Sequence, residues 1–188
     1  MPSVFLVSDT HFGHAGVCRF MRDDGFTKLR PWDSPDAMDK DMIEYWNDTV
    51  KPTDKVYHLG DVVINRKALA VLPKLHGDKV LIKGNHDIFK LSDYTAHFRD
   101  IRAYHVMNGF ILSHIPVHAE SKGRFKGNIH GHTHSNRVKT VDSKIDPWYH
   151  CVCVEQTDFR PILFEKVVER IMSDRDHEPF KTFESFGS

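Results

Sequence analysis

Seven side chains, Asp9, His11, Asp61, Asn85, His114, His132 and His134, offer oxygen and imidazole donors without a thiolate among them. A mixed carboxylate and imidazole set suits borderline divalent ions such as Mn, Fe, Zn, Co or Ni, and disfavours soft copper or a cysteine zinc site. Seven donors exceed what one ion takes. Two ions about 3.5–4 Å apart, bridged by a carboxylate, form a hydrolytic centre that clamps both oxygens of an in-line displacement. Asp61 is the natural bridge, being the acid at the middle strand tip. Asn85 and His86 follow Gly84 directly, and His86 is the residue type best suited to proton transfer near neutrality. Its neighbour Asp87 either orients this loop or tunes His86. Taken singly, each of these residues reads as a satisfied buried polar group; their joint placement points to one shared site.

Other polar residues are weighed beside them. His14 either touches a substrate phosphate or packs its own loop. His118, Arg124 and Arg137 lie in loops near the later ligands and are candidate contacts for an anionic substrate. His58 and His130 precede their groups on strands, where alternation aims them away from the tip, so both read as structural.

The elements that must position these groups are short apolar runs. Val4 to Val7, Val56 to Leu59 and Val80 to Ile82 are continuous rather than alternating, the pattern of strands covered on both faces. Between them, Ser34 caps a helix that begins at Pro35, carries Met38, Met42, Trp46 and Val50 at one-turn spacing, and stops at Lys51-Pro52. A shorter helix is predicted over Arg66 to Leu72. Strand, helix, strand, helix, strand is the βαβ pattern, and such sheets place ligand sites outside the strands' C-terminal ends. Phe12 to Asp33 reads as a long active-site loop with a short helix at Val17 to Met21. Past a helical piece around Leu91 to Phe98, strands are predicted at Ile101 to Val106, Phe110 to Leu112, into Ile129, at Thr140 to Val141 and at Tyr149 to Val154. A last amphipathic helix carries Phe164, Val167, Val168, Ile171 and Met172. Residues 1–173 read as one domain and 174–188 as a tail bearing Phe180, Phe183 and Phe186.

Composition sets broad limits. The 26 acidic and 26 basic residues balance, so charge supplies no global footprint for nucleic acid or an anionic membrane, although a local basic patch stays open. Cys18, Cys151 and Cys153 fit neither a disulfide framework nor a four-thiolate zinc site, which points to a reducing interior. The N-terminus enters Val4 to Val7 with no leader-like segment, and no window reaches membrane-span length, so a cytoplasmic protein is expected.

The blocks Asp9-Thr10-His11, Gly60-Asp61, Gly84-Asn85-His86-Asp87, His114 and Gly131-His132-Thr133-His134 resemble, in order and type, the signature of the calcineurin-like metallophosphoesterases. The opening Ser8-Asp9-Thr10-His11-Phe12-Gly13-His14 is similar to that of compact stand-alone members from bacteria and their phages. The resemblance implies a four-layer α/β/β/α sandwich. It assigns Asp9, His11, Asp61 and His134 to a first metal, and Asp61, Asn85, His114 and His132 to a second. His86 is assigned to the substrate phosphate, and manganese is the expected metal. The expected chemistry is attack on phosphorus by a hydroxide that two cations generate, with His86, Asp61 and Asn85 as the catalytic group.

Departures from relatives narrow the substrate. Asp61 is followed by Val62-Val63 where protein phosphatases of the superfamily have Arg-Gly, and Asp87 stands where they have Glu. A small phosphodiester is the expected substrate; a nucleotide stands among the candidate phosphoesters and nucleic acid stays open. Phosphomonoesters and nucleotide pyrophosphate linkages are the alternatives, and a non-catalytic scaffold of the same fold is the alternative class.

Overall fold

The chain folds as an α/β protein with two mixed sheets; the computed structural model describes residues 2–176. Its strands are β1 (Val4–Val7), β2 (Lys55–His58), β3 (Asp78–Ile82), β4 (Asp100–Arg102), β5 (Tyr104–Met107), β6 (Phe110–Ser113), β7 (Gly127–His130), β8 (Tyr149–Cys151) and β9 (Ile162–Leu163). The α-helices are α1 (Pro35–Thr49), α2 (Leu91–Thr95) and α3 (Phe164–Asp176). The first sheet has the order β4-β3-β2-β1-β9 and the second β5-β6-β7-β8. β1, β2, β3 and β4 run parallel, as do β6, β7 and β8, whereas β9 and β5 are antiparallel edge strands.

The parallel registers decide where the chemistry falls. Val7 pairs with His58 and His58 with Leu81, so the residues leaving β1, β2 and β3 emerge together on one edge. In the second sheet Ser113 pairs with His130 and His130 with Cys151, which aligns the exits of β6, β7 and β8. A parallel bridge between Ser8 and Cys153, with the Val154 amide donating to Ser8 O at 3.1 Å, ties the two edges to each other.

Two apolar cores hold this arrangement. α1 starts as predicted: the Ser34 side chain accepts from the Ala37 amide, and Pro35 and Asp36 occupy the first turn. Its buried stripe of Met38, Met42 and Trp46 packs with Phe5, Val7, Val56 and Leu81 on one face of the first sheet. The alternate residues Leu6, Tyr57, Val80 and Ile82 face Phe110, Leu112 and Ile129 of the second sheet, and α3 adds Phe164, Val167 and Ile171 to that core. Strands covered on both faces account for the continuous apolar runs. His58 lies within the first sheet's buried interior as a satisfied neutral ring. It accepts from the Gly60 amide through Nδ1 at 3.2 Å, and Nε2 meets Thr10 Oγ1 at 3.0 Å. On the outward side of the second sheet, Asn128 and Tyr149 bind Val117 of the segment 115–126.

Several expected boundaries differ. Residues 101–106 are not one strand: β4 joins the first sheet, β5 joins the second, and Ala103 passes between them. Residues 17–21 form turns rather than a helix, and Met21 bridges Lys28 across a loop that Gly25 turns with φ of 75°. Thr140 and Val141 belong to a turn closed by a Lys139–Ile145 bridge. The segment after Leu59 forms a 3-10 helix over Arg66–Lys74, two residues past the expected end. β8 ends at Cys151, and a 3-10 turn follows over Val154–Gln156. Cys18, Cys151 and Cys153 are buried free thiols. Among the described residues no helix is long and apolar enough to cross a membrane. Phe180, Phe183 and Phe186 lie outside the described residues.

Candidate metal centre

Five of the seven residues singled out as ligands sit in left-handed backbone: Asp9 (φ 57°), His11 (49°), Asp61 (58°), His132 (68°) and His134 (50°). For side chains with a Cβ this conformation costs roughly 1–2 kcal/mol each. The surrounding hydrogen bonds enforce it. Asp9 N donates to Gly60 O at 2.9 Å, His11 N to Asp61 O at 3.0 Å, and His132 N to the Asp9 carboxylate at 2.8 Å. Glycine is needed where these loops touch. A Cβ at Gly84 would run into the Asp61 carboxylate, and one at Gly131 into Ser8 Oγ and Asp9 Oδ2.

The loops gather their side chains into two adjoining groups. Asp9, His11 and His134 form one, and Asp61, His114 and His132 the other, each with its ligand atoms within 4.8 Å of one another. Asn85 Oδ1 joins the second group at 2.8 Å from His114 Nε2 and 3.0 Å from His132 Nδ1. Asp61 Oδ2 stands between the groups, 3.6 Å from His11 Nε2 and 3.4 Å from His114 Nε2. All seven predicted ligands therefore meet at one place.

Electrostatics favour a cation there. Burial alone would raise the Asp9 and Asp61 carboxyls, but the imidazoles around them, His11 and His114 foremost, outweigh it and hold both below the ordinary range. Both are buried, and among the described residues their side-chain ion-pair partners are imidazoles. A buried carboxylate without full compensation costs several kcal/mol. Asp9 Oδ1 and both ring nitrogens of His11 are buried with no hydrogen-bond partner among the described residues. Donors of this kind, left unsatisfied and converging, fit divalent cations, and carboxylate, imidazole and amide oxygen together match borderline metals.

The neighbouring residues have separable parts. His86 is exposed, with its ring 5.5 Å from that of His11, and its amide donates to Asp61 Oδ1 at 2.8 Å. Asp87 is fully buried and accepts from the amides of Asp61, Val62 and Gly84 at 2.8–2.9 Å, so it orients the loop. His14 lies with its ring 5.6 Å from that of His11, and burial lowers its pKa to about 4. His118 caps the 3-10 turn Ala119–Arg124, Arg124 lies over the Phe125 ring, and Arg137 pairs with Asp174 of α3. None of these last contacts involves either group of ligands.

Two residues of the site escaped the sequence reading. Glu155 Oε1 accepts from His134 Nδ1 at 3.0 Å, which leaves His134 Nε2 turned toward Asp9. Arg30, fully buried, pairs with Glu155 at 2.8 Å and donates to the carbonyls of Thr10 and Asp9. Glu155 did carry a signal, because it ends the buried run Cys151-Val152-Cys153-Val154 just as Asp9 ends that of β1. Arg30 carried none within its irregular loop.

Comparison with known proteins gives a family without an activity. The chain is 32% identical over 179 residues to Uncharacterized protein MJ1445 of Methanocaldococcus jannaschii, covering 91% of this chain and 92% of that protein. It belongs to the same family as that protein. It is also 28% identical to the Gene 66 protein of Mycobacterium phage D29, over 83% of this chain and 94% of that one. No family model matches the chain. Among solved structures, the protein of unknown function AQ665 from Aquifex aeolicus shares the fold, with a TM-score of 0.67 and 24% identity over 90% of this chain and 99% of that one. A novel archaeal phosphodiesterase reaches a TM-score of 0.43 at 20% identity over 80% of this chain and 82% of that one, too slight a likeness to carry function across.

Two outcomes follow. Without metal, His132→Gly will be more stable than His132→Ala, by up to about 1 kcal/mol in chemical denaturation, because glycine relieves the left-handed strain. An alanine variant at least as stable would contradict the strain. Glu155→Gln will weaken metal binding at the group containing His134 by about 10–100-fold in a manganese titration, while the other group keeps its affinity. Unchanged affinity at both would remove Glu155 from the site.

Proposed function

We propose that this protein is a dinuclear metal-dependent phosphoesterase of the calcineurin-like metallophosphoesterase superfamily, acting on a small phosphodiester. The observation that carries the reading is the position of Asp61, whose one oxygen lies 3.6 Å from His11 Nε2 and 3.4 Å from His114 Nε2. A carboxylate shared in this way is what a pair of adjacent cations requires. Asp9, His11, Asp61 and His134 would hold one ion, and Asp61, Asn85, His114 and His132 the other. When bound, such ions supply Lewis acidity toward phosphoryl oxygens and lower the pKa of water so that it serves as a nucleophile near neutral pH.

The chain's own residues do the rest. His114 donates through Nδ1 to Leu59 O at 2.7 Å, which fixes its ring and leaves Nε2 toward Asp61. His86 stands at the open side of the ligands, where its imidazolium neutralises charge on the phosphoryl group or gives its proton to the departing oxygen. The bond from its amide to Asp61 positions it for either role. His14 borders the same space and is a candidate contact for the phosphate. On this reading the two sheets are the inner layers of a four-layer α/β/β/α sandwich, manganese is the working metal, and the free buried cysteines suit the cytoplasm.

The test is hydrolysis of bis-p-nitrophenyl phosphate against p-nitrophenyl phosphate, with manganese and after chelation. Manganese-dependent turnover favouring the diester is expected, and His86→Ala will lower kcat by about 10²–10⁴-fold while metal content stays constant. Undiminished kcat in that variant would contradict the role of His86. Metal binding without turnover of either ester would favour the scaffold alternative.

A further inference from the structure

A groove of about 460 Å³ opens directly beside the second group of ligands, within the range of small-molecule sites. Asn85 and His114 belong to both: each lines the groove, and each belongs to the group that includes Asp61. A cavity of similar volume, about 490 Å³, is lined by Pro2, Thr49, Lys51 and Leu163 and includes none of the candidate ligands. The groove at Asn85 and His114 is continuous with the chemistry.

Its walls come from the seam between the sheets. Ala103 is the residue at which the chain leaves β4 for β5, and Lys83 N is bound to Arg102 O at 2.9 Å beside it. The next residue, Tyr104, pairs in register with Ser113, immediately before His114. A strand therefore holds Tyr104 in the lining beside Asn85 and His114 while leaving it 58% exposed, and Ile115, also in the lining, is 53% exposed. Ser113 Oγ is already engaged, donating to Ile115 O at 2.7 Å and accepting from Asn128 at 2.9 Å. The lining thus presents an aromatic face and aliphatic side chains, with the exposed cation Lys83 among them. A sugar or a peptide would want free donors and acceptors. A flat aromatic ring attached to a phosphate matches this lining, because its π face stacks on the exposed Tyr104 ring while its polar edge stays in water.

We propose that this groove binds the nucleobase of a nucleotide substrate, stacked on Tyr104 against Ile115, with its phosphate at the metal ligands. The assignment rests on the phosphoesterase reading above and narrows its substrate class. Tyr104 and Ile115 act here as specificity residues, and neither takes part in the hydrolysis.

The experiment uses the manganese-loaded full chain and two phosphonates whose C–P bonds do not hydrolyse, the isosteric analogues of AMP and of ribose 5-phosphate, titrated calorimetrically. The base-bearing analogue will bind about tenfold more tightly, toward the low end for one base stacked on an aromatic side chain. Tyr104→Ser, at an exposed position on an edge strand, will bring the two affinities close together by weakening only the base-bearing analogue. Equal affinities in the unaltered chain, or a preference that survives Tyr104→Ser, would overturn the proposal. Base-selective binding without turnover of any phosphoester would leave the groove standing and sink the phosphoesterase reading. Turnover without base selectivity would do the reverse.

Discussion

The structure depends on two carboxylates, Asp9 and Asp61, that are buried beside one another and, among the described residues, have imidazoles as their side-chain ion-pair partners. Such a pair is costly in a protein interior unless positive charge is brought to it. Lysine or arginine would have been the simple structural solution. Instead the fully buried guanidinium nearby, that of Arg30, is turned to backbone carbonyls and to Glu155. The oxygens and ring nitrogens are left converging on one space, an arrangement that fits divalent cations.

Holding the donors there imposes backbone strain, and the rest of the fold supplies the compensation. Left-handed conformations at five candidate ligand positions persist only where the surroundings over-determine them. Asp87 gathers three amides of the β2 and β3 exit loops, Arg30 fixes the loop after β1, and the Ser8–Cys153 bridge joins the sheets at their tips. Core packing, loop geometry and ligand placement are one continuous chain of causes from Trp46 and Leu81 outward to His86.

Much of this was legible in the sequence, and the limits have physical origins. Parallel strands covered on both faces read as unbroken apolar runs, so β1, β2 and β3 and the polar residues at their ends could be placed directly. The cap at Ser34 and the stripe Met38, Met42, Trp46 likewise defined α1. Sheet membership is a property of partners rather than of local pattern, which is why β4 and β5 read as one strand although Ala103 separates two sheets. Arg30 and Glu155 belong to residue types that are seldom buried, so nothing local marks them as interior. Their pairing is created by a contact across 125 positions of sequence.

The proposed chemistry requires two cations that share Asp61. The most direct measurement is anomalous diffraction from crystals of the full chain soaked in manganese. It should show a pair of peaks, one among Asp9, His11 and His134 and one among Asn85, His114 and His132, with Asp61 between them. A single peak away from Asp61, or none at saturating metal, would contradict it.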